Sequence, residues 1–293
     1  MEQETAKPLW RRIVDYPLVA MVIAVVINIV ATALGIGVGK LVPPLGRNWT
    51  AIVNALLVII PVYITYKLII VRLGDRPRDD LIWSRDAAKK LGSGLLVGFL
   101  IMAAAVAVAA ILGVYRIVGA GDASRLVLEL AMVAIIPGFT EELLFRGILF
   151  RYIEDWGGSW VALIVTSALF GLAHILNPNA TWFSSFAIAV EAGLLLGGAY
   201  MLTRSLWFPM GLHAAWNLTQ GEIFDVPVSG INEHGLVEAK MSGPPLLSGG
   251  QFGLEASLIA LVLATALGLW IVWLSVQRDL IVPPRWVRQR VVA

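Results

Sequence analysis

The chain has no cysteine, which excludes a disulfide framework, a thiolate metal site and a cysteine nucleophile. Charge is scarce as well: Asp, Glu, Lys and Arg make up 14% of the 293 residues, against about 25% in an ordinary soluble domain. The formal net charge of +2 is too small to suggest a nucleic-acid binder. No internal repeat is visible, which argues against a proton-coupled transporter built from paired halves. What fills the chain instead is apolar, 58% of all residues, where a soluble domain has about 45–50%.

Runs of the ~20 apolar residues that a bilayer core requires occur at approximately 17–39, 51–71, 93–115, 126–150, 159–177, 181–202, 205–224 and 254–276. The predicted fold is therefore all-α, a polytopic membrane protein with about eight transmembrane helices. The first run is longer than the roughly 7–15 residues of a signal h-region and follows acidic Glu2 and Glu4, so it reads as a retained span. Lys and Arg set the orientation, because basic flanks stay cytoplasmic. With the N-terminus inside, only Lys40, Arg47, Arg116, Arg125 and Lys240 fall outside and Lys67 within a span, so both termini are expected to be cytoplasmic. The chain is read as a single membrane domain over 1–293 with a catalytic core at 126–224. It is expected to be an integral, multi-pass protein, of the plasma or inner membrane if prokaryotic.

Two connections stand out. Residues 73–92 place Leu81, Ile82 and Trp83 beside Lys89 and Lys90, which suits either an interfacial segment or a plain loop. Residues 225–253 are rich in Gly and Pro, with Asp225, Glu233 and Glu238, and are expected to form an irregular external loop, a lid over a cavity being the sharper alternative. Gly94 with Gly98, and Gly193 with Gly197, are pairs that let helices approach closely.

The costly residues are the polar ones. In IIPGFTEELLFRGILF, Glu141, Glu142 and Arg146 sit in an apolar run, where a charge at the bilayer centre costs at least ~2.5 kcal/mol and needs a partner or a water-filled cavity. Glu142 and Arg146 share a face four residues apart with the acid N-terminal, the favourable order for an ion pair. Glu141 points about 100° away, which makes it the candidate base and Glu142 the candidate brace. Pro137 is expected to open the helix one turn earlier, since it has no N–H for the carbonyl of residue 133. Gly138 and Gly147 leave room for another helix. ALFGLAHILNP then stacks Phe170 on His174, and WFPMGLHAAWN repeats that spacing with His213 and Asn217. Glu191, in IAVEAGLLLGG, is a further intramembrane acid that either functions or bonds a neighbouring helix; it receives no role.

A desolvated carboxylate suits a general base, so Glu141 can activate water. Imidazole can orient that water, and a histidine N–H with the Asn217 amide can stabilise an oxyanion. No serine or cysteine nucleophile is needed. The alternative is zinc held by Glu141, His174 and His213, a known type of catalytic set. Here it lacks any local His-Glu-x-x-His signature, and cofactors are left as none or Zn2+. Expected partners are membrane lipids and a peptide or protein substrate, lipidated or not.

The three motifs, EELLFRG, FGLAH and HAAWN, have the form Glu-Glu-x-x-x-Arg, Phe-x-x-x-His and His-x-x-x-Asn. Over residues 141–217 they resemble the CAAX-protease and bacteriocin-processing family of intramembrane proteases, also called Abi or type II CAAX prenyl endopeptidases. The resemblance implies an intramembrane endopeptidase, with CAAX-type C-terminal processing as one substrate class. In it Glu141 would be the catalytic glutamate, His174 would help to activate water, and His213 and Asn217 would form the oxyanion site, supported by Glu142, Arg146 and Phe170. The family also holds immunity and processing proteins without prenylated targets, so a non-enzymatic immunity or partner-binding protein is the alternative function. The family is often labelled metalloprotease; the donor set here favours glutamate-activated water.

The expected spans carry one conflict. Counted at ~1.5 Å per residue from the proposed cytoplasmic ends, Glu141 and His213 lie about 12–14 Å deep and His174 about 22 Å. A shared site requires a Gly157–Ser159 turn sunk under protein cover, or a short, tilted fifth span, so that His174 and Glu141 come within water-bridging distance.

Overall fold

The computed structural model describes residues 7–232 and 234–292. Glu2, Glu4 and Glu233 lie outside the described residues, as does the side chain of Arg290. The helices in chain order are α1 Leu9–Val14, α2 Pro17–Gly39, α3 Arg47–Leu68, α4 Arg85–Ile111, α5 Leu126–Glu129, α6 Ile136–Glu142, α7 Arg151–His174, α8 Trp182–Thr203, α9 Trp207–Leu218, α10 Pro245–Ser248, α11 Leu258–Gln277 and α12 Arg285–Val292. Among the described residues five are long and apolar enough to cross a membrane: α2, α3 with its 3-10 extension to Arg72, α4, α8 and α11. The expected spans at 126–150, 159–177 and 205–224 fall on helical segments that carry π-helical turns, a glycine break or ionisable residues.

The spanning helices turn small residues inward and bulky apolar ones outward, the reverse of a soluble bundle. On α2, Ala20, Ala24, Asn28, Ala31 and Gly35 are buried while Val22, Val26, Ile29 and Val30 are exposed. Lipid tails are as apolar as leucine, so burying leucine gains nothing there; close backbone approach does. The Gly94 and Gly98 pair works in this way. A Cβ on either would collide with a carbonyl of α9, that of Phe208 or Leu212. Gly193 and Gly197 similarly seat α8 against Ser167 and Leu163 of α7.

The fourth rod is longer than expected. From Ile136 the chain runs through α6, a π-helical stretch Leu143–Phe150 and the start of α7, and breaks only at Gly158, whose φ of 82° is left-handed. That conformation costs a residue with a Cβ roughly 1–2 kcal/mol. The Gly157–Ser159 turn is buried, as required, and is covered by the segment after α11: Ser159 N–H donates to Val282 O at 2.9 Å, and Val282 N–H returns to Ser159 Oγ at 2.8 Å. The α8–α9 turn is enclosed too, with Ser205 and Leu206 buried and Leu206 N–H bonded to Asp80 O at 3.0 Å.

Residues 73–92 are a pinned loop and then a helix. Fully buried Arg151 donates to the carbonyls of Arg78 at 2.9 Å and Arg76 at 3.2 Å, and the Ser84 side chain caps α4 through Ala87 N–H. Ile82 and Trp83 are exposed while Leu81 is buried.

The all-α expectation needs one correction. β1 Tyr115–Ala120 and β2 Val237–Met241 form a two-stranded antiparallel sheet with an irregularity between Ile117 and Gly119. The two strands lie far apart in sequence, so no hairpin signal announces them; the 225–253 loop is thereby ordered.

Gly98→Leu is expected to lower the unfolding free energy in detergent by about 1–3 kcal/mol through overpacking against α9. Gly92→Leu is the control on the same helix, because a Cβ there meets nothing within 4 Å. Equal melting curves for the two variants would contradict the packing described.

Candidate active site

Glu142 and Arg146 are fully buried and ion-paired, Arg146 Nη1 to Glu142 Oε1 at 2.8 Å. The same oxygen meets His213 Nδ1 at 2.9 Å. One carboxylate oxygen thus joins the π-helical stretch after α6 to the middle of α9. Arg146 reaches further: Nη2 donates to Ala192 O of α8 at 3.2 Å, and the guanidinium lies 4.7 Å from the Phe170 ring centre on α7. The brace assigned to these residues holds four helical segments, not one helix face.

Phe170 organises the aromatic side. It packs edge-to-face on Phe145 at 4.8 Å between centroids, and lies 4.7 Å from the His174 ring and 6.1 Å from that of His213. The Phe145–Phe170 contact also sets the register of the two rods that meet at Gly158. They run antiparallel, so one turn beyond Phe145 and one turn beyond Phe170 lie at the same level. Those positions are Glu141 and His174. The conflict in depth disappears because the descending helix ends at Gly158 and not near residue 150, which adds eight residues, about 12 Å at 1.5 Å each, to the distance of Glu141 from the turn.

Both imidazoles are anchored through Nδ1. His174 Nδ1 bonds the Phe170 carbonyl one turn back at 2.7 Å, and His213 Nδ1 bonds Glu142. A carbonyl acceptor requires the proton on His174 Nδ1, which leaves Nε2 free to accept. Asn217 Nδ2 donates to Val133 O at 2.9 Å. This is the carbonyl that an N–H at position 137 would meet in an α-helix, and residue 137 is proline, so the side chain of α9 fills a gap that the sequence creates. The second N–H of that amide remains. π-Helical turns lie next to Pro137, Glu142 and Asn217, namely Leu130–Ile135, Leu143–Phe150 and Thr219–Ile223, as is frequent where helices carry functional groups.

His174, His213 and Asn217 line one cavity of about 40 Å3, room for about three water molecules. Glu191, Ser229 and Glu255 complete its polar lining, among apolar side chains such as Leu195 and Trp216. Glu141 is not among the lining residues. It is half-buried at the level of His174, within electrostatic range of His213 and Arg146, and its Oε2 is enclosed without a hydrogen-bond partner among the described residues.

Glu255 and Ser229 are the residues that sequence reasoning missed. Ser229 belongs to the 225–253 connection, which folds back over the cavity: Glu255 accepts the Ser229 N–H, Gly230 N–H donates to Phe252 O at 2.7 Å, and Asn179 Nδ2 to Gly230 O at 3.2 Å. An acid at the very start of an apolar run, Glu255, was the available signal.

The proposed zinc set does not assemble. Among the described residues no three His, Asp or Glu side chains converge as a metal-holding group, so Glu141, His174 and His213 do not fit a zinc site and no step below runs through a metal.

Arg146→Met leaves Glu142 enclosed with His213 as its sole partner. It is expected to cost about 3–5 kcal/mol of stability, read from unfolding in detergent. The double variant Glu142→Leu/Arg146→Met should recover part of that loss. A single variant as stable as the parent would show that the pair is not the brace.

No curated protein and no solved structure matches the chain. Residues 123–219, the segment with all three motifs, match the family model described as type II CAAX prenyl endopeptidase Rce1-like, the family that those motifs resemble.

Proposed function

We propose that the protein is an intramembrane endopeptidase that hydrolyses a peptide bond with water activated by Glu141. The observation that carries this reading is the convergence of two Nδ1-anchored imidazoles and the Asn217 amide on one cavity with room for about three water molecules.

Glu141 takes a proton from the attacking water, which His174 Nε2 orients as acceptor from the same level of the helix pair. The carbonyl oxygen of the substrate acquires negative charge and meets Asn217 Nδ2–H and His213. As an imidazolium, His213 donates Nδ1–H to Glu142, its hydrogen-bond partner, and Nε2–H to the oxyanion.

The substrate reaches this site in the membrane. An apolar groove of about 350 Å3 runs between α4, α6 and α9, lined by Leu95, Ile135, Phe139, Trp207, Met210 and Leu218 among others. Its lining suits an apolar or lipid-modified substrate end, in keeping with CAAX-type processing.

Glu141→Ala is expected to abolish cleavage while leaving the protein folded, a loss of at least ~100-fold for a missing general base. Comparing the C-terminal peptides of a Glu141→Ala strain with those of the parent identifies the substrate, as peptides that stay uncleaved in the variant. Identical peptide sets in the two strains would refute the reading.

A further inference from the structure

Glu191 is the one carboxyl lining the cavity to which neither the water-activating step nor the covering loop gives a role. It is 1% exposed, and among the described residues its carboxyl makes neither a hydrogen bond nor an ion pair, with Oε2 fully enclosed. Among the described residues nothing compensates it, although an enclosed, uncompensated carboxylate is among the costliest groups a fold can carry. It lines the cavity of His174, His213 and Asn217, next to Ala192, whose carbonyl is tied to Arg146. Its partner is therefore whatever occupies that cavity. Glu255 lines the same space but already accepts the Ser229 N–H and so serves the covering loop.

Resting on the peptidase reading above, we propose that Glu191 is the general acid of the reaction, the group that protonates the departing amine. A peptide nitrogen does not leave as an anion, so hydrolysis needs a proton donor as well as a base. The two roles fall to carboxyls in unlike surroundings: Glu141 is half-buried and outside the cavity lining, whereas Glu191 is enclosed in the cavity, beside a second acid, Glu255, and two histidines, with no Lys or Arg in the lining. When the tetrahedral intermediate collapses, the C–N bond breaks, its electron pair goes to nitrogen, and the Glu191 carboxyl proton is transferred to that nitrogen. The carboxylate left behind regains a proton from solvent, and Glu141 returns to solvent the proton it took from the attacking water. Net, one water is divided between the two products and both glutamates return to their starting state.

The test compares two leaving groups at one bond. The probes are an internally quenched peptide spanning the cleavage site found in the Glu141→Ala comparison and its thioester counterpart, whose thiolate departs without a proton. Both are assayed with the full chain in detergent micelles. Glu191→Gln, which keeps the shape and has no proton to give, is expected to lose about 100-fold or more on the peptide while cleaving the thioester within about threefold of wild type. Glu191→Asp should restore part of the peptide activity. Because the readout is the ratio of the two rates within one preparation, a partly misfolded fraction cancels. Equal losses on the two probes or an unimpaired Glu191→Gln would overturn the assignment. Wild-type protein inert on both probes would instead overturn the peptidase reading itself.

Discussion

A charge enclosed in an apolar bundle must be partnered, and at the centre of this protein that requirement falls on one atom, Oε1 of Glu142. It accepts from Arg146 and from His213, and through Arg146 it reaches the Ala192 carbonyl and the face of Phe170. α7, α8, α9 and the π-helical segment after α6 are thereby fixed relative to one another around a buried polar cluster. The same economy appears at Val133, whose carbonyl, facing a proline, is supplied with a donor by Asn217. The groups assigned to chemistry are thus held by groups that settle the cost of polarity in an apolar medium.

The second constraint is the turn at Gly158. A left-handed glycine, covered by residues 282–284, lets two rods fold against each other with Phe145 beside Phe170. Antiparallel register then brings residues 141 and 174 to one level. Buried Arg151 and the Glu154 carboxylate, paired to Arg204 at 2.7 Å and to Ser159 Oγ at 2.6 Å, tie the same end of the bundle to neighbouring segments. The polar layer around the turn and the polar layer around Glu142 are separated by apolar packing, and each anchors one end of it.

The opposite end is closed by the segment between α9 and α11. Its strand pairs with β1, and Glu255 holds Ser229 over the cavity. Ser229 of the 225–253 loop and Glu255 just beyond it line the cavity, so this segment is part of the site as well as its cover.

The sequence by itself determined the apolar helical character, the small-residue contacts at Gly94 and Gly98, and the three motif faces at Glu141–Arg146, Phe170–His174 and His213–Asn217. Each depends on composition or on spacings of one helical turn, which are local. It also exposed Pro137 as a missing donor, although it did not reveal which side chain makes up the deficit. Only the tertiary structure decided that Glu142 bonds His213, that Asn217 meets Val133, that the fourth rod continues to Gly158, and that Glu191 and Glu255 share a cavity with both histidines. Those outcomes turn on interhelical register and on where a helix ends. An apolar run of the right length does not encode its own end point: Arg151 and Glu154 look like a polar boundary in sequence and are in fact buried in continuous helix, because partners from distant segments satisfy them.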